Sequence, residues 1–474
     1  MEKNNKSFDF FSWIKEYQTT DYQIVVENDQ LIKLVTEFGE ASITFTKVEE
    51  GTIVEFTIIS QKDDTVKFYL HFELNDDSHA KQLYDEMVET LISLKDEKTL
   101  KVLLSCSAGL TTAMFADQLN STAQMLGADC QFDAVSYLSI YEEVEKYDVI
   151  LLAPQIGYLY NRLKESLPQK LVLQIPTAIF ASYDALAAIR FVLDEVEKFN
   201  NEKNNEEEHY CCHCAKYEKR ILSIVFMQNK AQTRIYYRLY DQGEVIDHNL
   251  IIKPSTSIYD LYDIVNTVIL KYSYIDAVGI AIPGIIDDQM VLKYQSFDEN
   301  PIDLKNDLEK KYHIEVYINN NTNAAAIGFS LEHSEYQNII FHSQPFGYGI
   351  GGQGIIINRE IITGKNGISG EIKFFLERMQ LSDECHKLAW SEQGAIELVT
   401  KSLLPAICLL GPEAVAVRSP LTPDMNEIKN KLNSFVPKEF LPEFYYIKEA
   451  SSYMLDGITK LCVDYLEKDN ENSY

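Results

Sequence analysis

The stretch Thr99–Asn120, TLKVLLSCSAGLTTAMFADQLN, constrains the fold of this chain more than any other. Its apolar run Val102–Leu104 predicts a buried strand, and the residues from Leu110 onward have the spacing of an amphipathic helix. Cys106 therefore lies where a strand ends and a helix begins. The first helical turn has unpaired N–H groups and the positive end of the helix dipole, so this position favours an anion and a reactive thiolate.

The loop that joins this strand to the helix is suited to phosphate. Gly109 lets the backbone approach a ligand closely, and Ser107, Thr111 and Thr112 offer hydroxyl donors. The alternative is that Cys106 is only a small buried residue at a strand end, which is common in protein cores. We prefer the phosphate interpretation because small residues, a glycine and paired hydroxyls make a poor core sequence.

Length and charge limit the classes of protein to consider. A chain of 474 residues is long enough for three domains. With 43 basic and 72 acidic side chains the net charge is −29, which argues against partners such as nucleic acid or anionic membranes. No apolar run reaches the ~20 residues of a membrane-spanning helix, and the N-terminus lacks the pattern of a signal peptide. We predict a cytoplasmic protein with reduced cysteines and no direct membrane insertion.

Residues 1–97 predict a small α+β domain. Five segments rich in Val, Ile, Thr and Phe predict an antiparallel meander, and residues 8–17 and 77–94 predict covering helices. The histidines His71 and His79 are isolated in the sequence, so we expect no catalytic site here. We interpret this segment as a docking or dimerisation module of unknown role, which leaves a homodimer as an open alternative.

Residues 98–200 predict four strand–helix repeats, which favour a parallel, flavodoxin-like sheet with helices on both faces. Ligands of such sheets bind at the carboxyl ends of the strands, where both Cys106 and Gln155 fall. Gln155 is either near bound phosphate or part of a plain strand-to-helix turn. The predicted strands are Lys101–Ser105, Cys130–Ser136, Tyr147–Leu152 and Lys170–Ile175, and the predicted helices are Leu110–Leu126, Ile140–Glu145, Tyr158–Ser166 and Tyr183–Phe199.

This segment resembles the enzyme IIB component of the lactose/cellobiose class of the bacterial sugar phosphotransferase system. The resemblance rests on CSAGLTT and on YDVILLAPQIGYLYNRLKE, Tyr147–Glu165. Low-molecular-weight tyrosine phosphatases use a related loop, but they need an arginine at the position of Thr112. In the IIB family a cysteine carries a phosphoryl group from enzyme IIA to a sugar.

The resemblance implies that Cys106 is the phosphocysteine, with Gln155 nearby. It implies enzyme IIA as donor, a separate membrane enzyme IIC, a β-glucoside or lactose/cellobiose-like sugar, and no cofactor. The implied phosphate loop is Ser107, Ala108, Gly109, Leu110, Thr111 and Thr112.

Residues 201–217 form an acidic linker by composition. The linker contains Cys211, Cys212, His213 and Cys214, whose adjacent positions do not suit one tetrahedral zinc ion. We therefore expect no metal site in the linker.

Residues 218–474 resemble the ROK family of repressors and sugar kinases, whose fold is actin-like with two lobes around a cleft. The resemblance rests on three motifs in the family order: DAVGIAIPGIID from Asp276, VYINNNTNAAAIGFS from Val316 and FGYGIGGQGIIINREIITGKNGISGEI from Phe346. The matching kinases bind ATP and sugar between the lobes.

Departures from the family pattern predict a degenerate domain that is inactive as a kinase. The first phosphate loop is replaced by SIVFMQNKAQTRI, which has no glycine, and Asn321 stands where the family has its catalytic aspartate. An amide cannot take a proton from a sugar hydroxyl near pH 7. The second phosphate loop has Gly347-Tyr348-Gly349, and Val417–Pro420 replaces the adenosine glycines. The zinc-binding histidine is missing and only Cys385 remains of the family's three cysteines, so we expect no structural zinc.

Part of the family's sugar site is retained. Asn320 and Glu371 match family sugar contacts, and we count Asn321 as a third candidate, although the first two could equally cap helices or turns. No helix-turn-helix is evident before this domain. Three interpretations follow: a phosphotransferase protein that passes phosphoryl to sugar, a phosphorylation-dependent regulator or sugar sensor without sugar transfer, and, disfavoured by Asn321, an active sugar kinase.

Overall fold

The computed structural model describes residues 9–49, 51–62, 64–97, 99–106, 110–126, 130–167, 170–203, 219–228, 233–254, 257–293, 302–345, 351–376, 378–422 and 425–472. The chain divides into two compact units. The first contains Met1–Thr99, Gln232–Arg234 and Leu250–Tyr274, and the second contains Leu100–Ala231, Ile235–Asn249 and Ile275–Tyr474.

The N-terminal part of the first unit is an antiparallel meander with two helices, as the strand pattern predicts. Its strands follow one another in sequence order, and each pairs antiparallel with the next. The elements are α1 (Phe10–Lys15), β1 (Gln23–Val26), β2 (Leu31–Val35), β3 (Gly39–Val48), β4 (Gly51–Ser60), β5 (Val66–Glu73) and α2 (Asp77–Ser93).

Aromatic side chains and three ion pairs stabilise this unit. Phe10 packs in edge contacts on the rings of Phe72 and Tyr84. His79 of α2 lies 2.9 Å from the carboxylate of Asp263, which raises the pKa of the imidazole. Lys253 is almost fully buried and pairs with Asp260 at 2.7 Å and with Glu86 at 3.0 Å. Buried charges of this kind are tolerated because each has a partner.

The second unit begins with the predicted four-stranded parallel sheet, and its strand order is β7-β6-β8-β9. Helices α3, α6 and α7 cover one face, and α4 and α5 cover the other. The elements are β6 (Leu100–Cys106), α3 (Leu110–Leu126), β7 (Cys130–Ser136), α4 (Ile140–Glu143), β8 (Val149–Leu152), α5 (Tyr160–Ser166), β9 (Leu171–Gln174), α6 (Thr177–Ser182) and α7 (Ala185–Lys203).

Two helices of this segment differ from their sequence prediction. The predicted helix Tyr183–Phe199 is preceded by α6, and Tyr183 lies between α6 and α7 with a left-handed φ of 51°. Asp184 then caps α7 by accepting the backbone N–H of Ala187 at 3.0 Å. The predicted helix Tyr158–Ser166 is a 3-10 turn, Pro154–Leu159, followed by α5.

The remainder of the described chain contains two larger sheets that share helices, and one small two-stranded sheet. The first has the order β12-β11-β10-β13-β16 and the second β19-β18-β17-β20-β21. The elements are β10 (Arg220–Gln228), β11 (Thr233–Asp241), β12 (Glu244–Lys253), α8 (Tyr259–Tyr272), β13 (Ala277–Ile282), β14 (Ile285–Ile286), β15 (Leu292–Lys293), α9 (Leu304–Tyr312), β16 (Glu315–Asn320), α10 (Asn321–Glu332), β17 (Ile339–Ser343), β18 (Gly352–Ile357), β19 (Glu360–Ile361), α11 (Lys373–Leu376), α12 (Cys385–Leu388), α13 (Glu392–Leu410), β20 (Ala414–Arg418), α14 (Met425–Asn433), β21 (Glu443–Tyr446) and α15 (Ser451–Asn472).

Helices α10 and α15 pack between these two sheets. One apolar cluster contains Val225 and Ala281 of the first sheet, Phe341 and Ala416 of the second, and residues of both helices. The helices approach so closely that a Cβ at Gly457 would lie 1.8 Å from the backbone oxygen of Ala324. This α/β arrangement of two sheets around shared helices is the one expected for an actin-like domain.

Helix α13 is the one helix in the described residues that is long and apolar enough to cross a membrane. More than half of its most apolar window is buried inside the protein, where Val399 and Leu403 pack with Ile340 and Val415 of the neighbouring sheet. The apolar character of α13 is therefore explained by core packing.

Candidate functional site

Cys106 is the last residue of β6, and its side chain is 4% exposed. Its sulfur lies 3.2 Å from the Oγ1 of Thr112, which is the third residue of the 17-residue helix α3. The thiol is thus held at the N-terminal turn of this helix, where the unpaired N–H groups and the helix dipole favour negative charge. Ser107, Ala108 and Gly109 lie outside the described residues, as do the side chains of Leu110 and Thr111.

The strand that ends in Cys106 is fixed on both sides. Ser105 is fully buried and donates its hydroxyl to the carbonyl of Val135 at 3.1 Å. Asn120 of α3 bonds both backbone groups of Phe132 on β7, each at 2.7 Å. The sequence gives no direct signal for these two contacts, and together they hold strand and helix in a fixed relation around the thiol.

Gln155 lies at the same edge of the sheet as Cys106. The backbone N–H of Ala153 donates to the carbonyl of Ser105 at 2.9 Å, so the end of β8 is bonded beside the residue that precedes Cys106. Gln155 follows two residues later, in the 3-10 turn Pro154–Leu159, and its side chain is exposed. An exposed amide at this edge is free to reach a bound anion.

Three large apolar side chains are exposed after the ends of neighbouring strands. Met114 follows β6 on α3 and is 73% exposed, Leu138 follows β7 and is 71% exposed, and Tyr158 follows β8 and is 73% exposed. Since the strands are parallel, these elements all begin at the edge that carries Cys106. Exposed apolar side chains around a reactive residue are typical of a protein-docking surface.

The candidate sugar site contains an asparagine with two structural bonds. Asn320 caps α10 by accepting the N–H of Thr322 at 2.7 Å, and it donates its amide to the carbonyl of Gly284 at 2.7 Å. The alternative that Asn320 acts as a helix cap therefore describes its observed role. Asn321 begins α10, and its amide is 3.4 Å from the carbonyl of Phe226 at the end of β10.

Glu371 follows a loop that is pressed against β18. Gly370 has a φ of 83°, and a Cβ there would lie 1.8 Å from the carbonyl oxygen of Gln353, so only glycine fits. The carboxylate of Glu371 pairs with Lys373 at 3.1 Å. A cation therefore already balances this carboxylate. Gly347, Tyr348 and Gly349 lie outside the described residues.

No group of three or more His, Cys, Asp or Glu side chains in the described part of the chain could hold a metal ion. The linker residues Cys211, Cys212, His213 and Cys214 lie outside that part.

A contact that the sequence does not predict joins α5 to the C-terminal part of the chain. Arg162 of α5 pairs with Glu392 at the start of α13 and, at 3.0 Å, with Glu427 of α14. Beside these pairs, Ala395 and Leu421, each 2% exposed, belong to the same apolar cluster as the α4–α5 face of the four-stranded sheet. We call this set of contacts the α5 interface.

Two tyrosines interact with residues of α5: Tyr141 is buried and Tyr446 is half-buried. Burial raises the pKa of Tyr141, although a hydrogen bond to Ser166 and the nearby Arg162 act in the opposite direction. Burial likewise raises the pKa of Tyr446, with Arg418 opposing this shift and Glu165 adding to it. Arg162 and Glu165 of α5 therefore both influence the pKa of a phenol near this interface.

Comparisons with known proteins match two different segments of the chain to two families. The model of the phosphotransferase-system lactose/cellobiose-specific IIB subunit matches residues 101–189, and the ROK family model matches residues 232–419. The chain is 30% identical over 69 residues to the oligo-beta-mannoside-specific EIIB component of Bacillus subtilis strain 168. This alignment covers 15% of this chain and 67% of the EIIB component.

The second part is similar to a repressor and to sugar kinases. The chain is 38% identical over 135 residues to the xylose repressor of Bacillus subtilis strain 168, which covers 27% of this chain. The chain thus spans only 33% of the repressor's length. A ROK family glucokinase from Streptomyces griseus, solved with glucose and AMPPNP, is 16% identical with a TM-score of 0.40, over 52% of this chain and 99% of the glucokinase.

The motifs on which both resemblances rest fall within the matched ranges: the loop after Cys106 lies in the first, and the segments around Asn320 and Glu371 lie in the second. The chain therefore belongs to the lactose/cellobiose-specific enzyme IIB family through residues 101–189, and residues 232–419 of the same polypeptide match the ROK family model.

Proposed function

We propose that Cys106 accepts a phosphoryl group from a phosphohistidine of enzyme IIA. The observation that carries this proposal is the position of the Cys106 sulfur, 3.2 Å from the Thr112 hydroxyl at the N-terminal turn of α3. A phosphoryl group on this sulfur would meet the helix N–H groups and the Thr112 hydroxyl together. Catalysis of this transfer depends mainly on such positioning and charge stabilisation.

The transfer has a simple balance of bonds and protons. The thiolate of Cys106 attacks the phosphorus atom, the P–S bond forms, and the P–N bond to the donor histidine breaks. The imidazole leaving group takes up a proton, and the thiol releases one to solvent. In the following step a sugar hydroxyl attacks the phosphorus and loses its proton to solvent, the P–O bond forms and the P–S bond breaks, and the thiolate returns.

The surface around Cys106 supports a protein as the donor. Met114, Leu138 and Tyr158 are more than two-thirds exposed at this edge and would be buried by a docked partner. Burial of such side chains favours association, at roughly 25 cal/mol for each Å² removed from water. A small-molecule donor would not need this apolar rim.

The final acceptor in this proposal is a sugar held by a separate membrane enzyme IIC. The sugar class is a β-glucoside or a lactose/cellobiose-like disaccharide, in keeping with the families matched. The protein acts in the cytoplasm and comprises residues 1–97 of unknown role, the IIB domain 98–200, the linker 201–217 and the ROK domain 218–474. The ROK domain is inactive as a kinase because Asn321 replaces the base and the first phosphate loop has no glycine.

Intact-mass measurement tests the proposal. The full chain is mixed with phosphoenolpyruvate, enzyme I, HPr and a lactose/cellobiose-type enzyme IIA. We expect one added phosphoryl group on the wild type and on Cys130→Ser, and none on Cys106→Ser. Cys130 is the matched control because it is also a buried cysteine of the same sheet. Absence of the added mass with several such IIA proteins would contradict the proposal.

A second candidate function is regulatory. In it, phosphorylation of Cys106 reports transport flux, and the phosphoryl group is not passed to sugar. The α5 interface favours this candidate, because it connects the IIB domain to a ROK segment similar to a xylose repressor. The two candidates differ in one observation: addition of membranes that contain the IIC partner and its sugar would discharge phosphorylated Cys106 only in the transport function.

A further inference from the structure

The α5 interface covers a particular place on the ROK domain. Leu421 lies directly after Val417–Pro420, the segment that replaces the family's adenosine glycines. Leu421 is 2% exposed within the apolar cluster of the IIB domain, and Arg162 lies between Glu392 and Glu427 on either side of this segment in sequence. The IIB domain therefore packs against the region of the ROK domain where a related kinase would be expected to bind adenosine.

One short turn connects this interface to the edge that carries Cys106. The turn Pro154–Leu159 begins next to the bond between Ala153 N–H and the Ser105 carbonyl, 2.9 Å long. Gln155 is exposed at the Cys106 edge, whereas the next side chain, Ile156, is 1% exposed in the cluster that contains Ala395 and Leu421. Neighbouring residues of one turn thus lie at the Cys106 edge of the sheet and in the apolar cluster shared with the ROK domain.

The backbone of this turn has an irregular conformation. Ile156 has a φ of −114° and a ψ of 18°, which are not helical values, although the residues around it form a 3-10 turn. A 3-10 turn has poorer hydrogen-bond geometry than an α-helix. A small displacement of Gln155 would therefore be transmitted to Ile156 more readily than a displacement between neighbouring residues of a regular helix.

We propose that the ROK domain senses the phosphorylation state of Cys106 through the turn Pro154–Leu159 and the α5 interface. This inference rests on the proposed phosphorylation of Cys106. A phosphoryl group on the sulfur accepts a hydrogen bond from the Gln155 amide and draws the turn toward the Cys106 edge. Ile156 then withdraws from the apolar cluster that also contains Ala395 and Leu421, and the α5 interface weakens. Packed interfaces respond to such small shifts by changing between distinct arrangements.

The coupling is reciprocal. If phosphorylation weakens the interface, then loosening the interface favours phosphorylated Cys106 by the same factor. A ligand that stabilises the docked form of the ROK domain would accordingly oppose phosphorylation. Phosphorylation of Cys106 and docking of the ROK domain at the α5 interface would then each change the equilibrium of the other.

Hydrogen–deuterium exchange on the full chain tests this inference. Peptides that cover α5, the first turn of α13 and residues 418–422 report on the interface, and a peptide from α10 serves as an internal reference. Arg162→Ala is expected to accelerate exchange severalfold in the three interface peptides and, by the same reciprocity, to raise the equilibrium yield of phosphorylated Cys106. Lys164→Ala is the matched control, since Lys164 is an exposed cation of the same helix whose ammonium lies 5.8 Å from the Tyr160 ring.

The decisive comparison uses the wild type alone, before and after phosphorylation, with the added mass checked in the same sample. Phosphorylated protein is expected to exchange severalfold faster in the α13 and 418–422 peptides and at the same rate in the α10 peptide. Added mass with unchanged exchange in the α13 and 418–422 peptides would overturn the inference and leave the proposed function standing. Absence of added mass would overturn the proposed function itself, while the Arg162→Ala comparison would still establish whether the interface forms.

Discussion

The sulfur of Cys106 lies 3.2 Å from the hydroxyl oxygen of Thr112, six residues further along the chain. The two side chains belong to different elements, the end of β6 and the first turn of α3, and both are buried. A hydroxyl at this position can donate to the thiolate before transfer and to a phosphoryl oxygen afterwards. This relationship makes Thr112 the described side chain most directly placed to assist chemistry at Cys106.

Replacement of Thr112 by valine is expected to slow phosphorylation of Cys106 without unfolding the protein, because valine keeps the shape and removes the hydroxyl. Loss of one hydrogen bond worth about 1 kcal/mol corresponds to a roughly fivefold slower transfer. The measurement is the rate at which the phosphorylated mass appears with enzyme IIA as donor. Thr112→Ser keeps the hydroxyl and should react at close to the wild-type rate; equal rates for all three proteins would exclude a role for this hydroxyl.

Replacement of Asn320 by alanine is expected to lower the free energy of unfolding in the absence of any sugar. The substitution removes the cap of α10 and the bond to the Gly284 carbonyl, at about 1 kcal/mol each. Asn320→Asp keeps the capping oxygen and loses the donor, so its loss of stability should be intermediate. Denaturant unfolding measures both, and an unchanged midpoint for Asn320→Ala would show that these two bonds do not stabilise the domain.

Replacement of Asn321 by aspartate is expected to restore no kinase activity. The substitution returns a carboxylate to the position of the family's base, but the first phosphate loop still lacks the glycines that bring the backbone against phosphates. The measurement is ATP-dependent phosphorylation of glucose and of a β-glucoside by the full chain, with Asn321→Ala as the control. Turnover by Asn321→Asp above that control would contradict the account of the inactive cleft.

The buried histidine His342 is expected to make stability fall in mild acid. Burial lowers its pKa from 6.5 to about 4, so between these values the unfolded chain binds a proton that the folded chain does not. The free energy of unfolding should therefore decrease as pH falls below 6.5, by about 1.4 kcal/mol per pH unit for this group. His342→Leu should remove this contribution from the pH dependence of denaturant unfolding.

The control for this pH dependence is His386→Gln, because the His386 side chain is 68% exposed. It should leave the slope unchanged. A slope for His342→Leu equal to that of the wild type would show that His342 is not the responsible group. His71 is also buried, with a pKa lowered to about 3 by burial and by Lys271, and it should add a similar acid dependence in the first unit.

The sequence allowed the strand and the helix on either side of the loop after Cys106 to be predicted because their signals are local. An apolar strand, a glycine and an amphipathic helix follow one another within about twenty residues, and the observed α3 and β7 have the predicted bounds. Parallel order follows from the strand–helix alternation and is also confirmed. The placement of Cys106 at the carboxyl edge of the sheet follows from the same reasoning.

Features that depend on distant residues could not be predicted. Tyr183 separates α6 from α7 with a positive φ, although it is neither glycine nor asparagine. Its ring packs 5.4 Å from that of Phe115 and 6.0 Å from that of Phe180, and these contacts accompany the turn. The pairing of Arg162 with Glu392 and Glu427 joins residues more than two hundred positions apart, for which a single sequence carries no signal.

Asn320 illustrates a different limit of prediction from a sequence motif. The family motif identified it as a candidate sugar contact, and the alternative of a helix cap was open from the sequence. The structure shows that both polar ends of the side chain already have backbone partners. A motif preserves residue identity, whereas the role of a polar side chain depends on which groups the fold brings to it.

Phosphorus NMR of the protein after incubation with the phosphoryl donors is the most direct test of the central claim, since it distinguishes phosphorus bound to sulfur from phosphorus bound to nitrogen. We predict one resonance of a thiophosphate ester in the wild type and in Cys130→Ser, and its complete loss in Cys106→Ser. A resonance of a phosphohistidine that survives in Cys106→Ser, or no protein-bound phosphorus in any variant, would contradict the assignment of Cys106 as the phosphoryl acceptor.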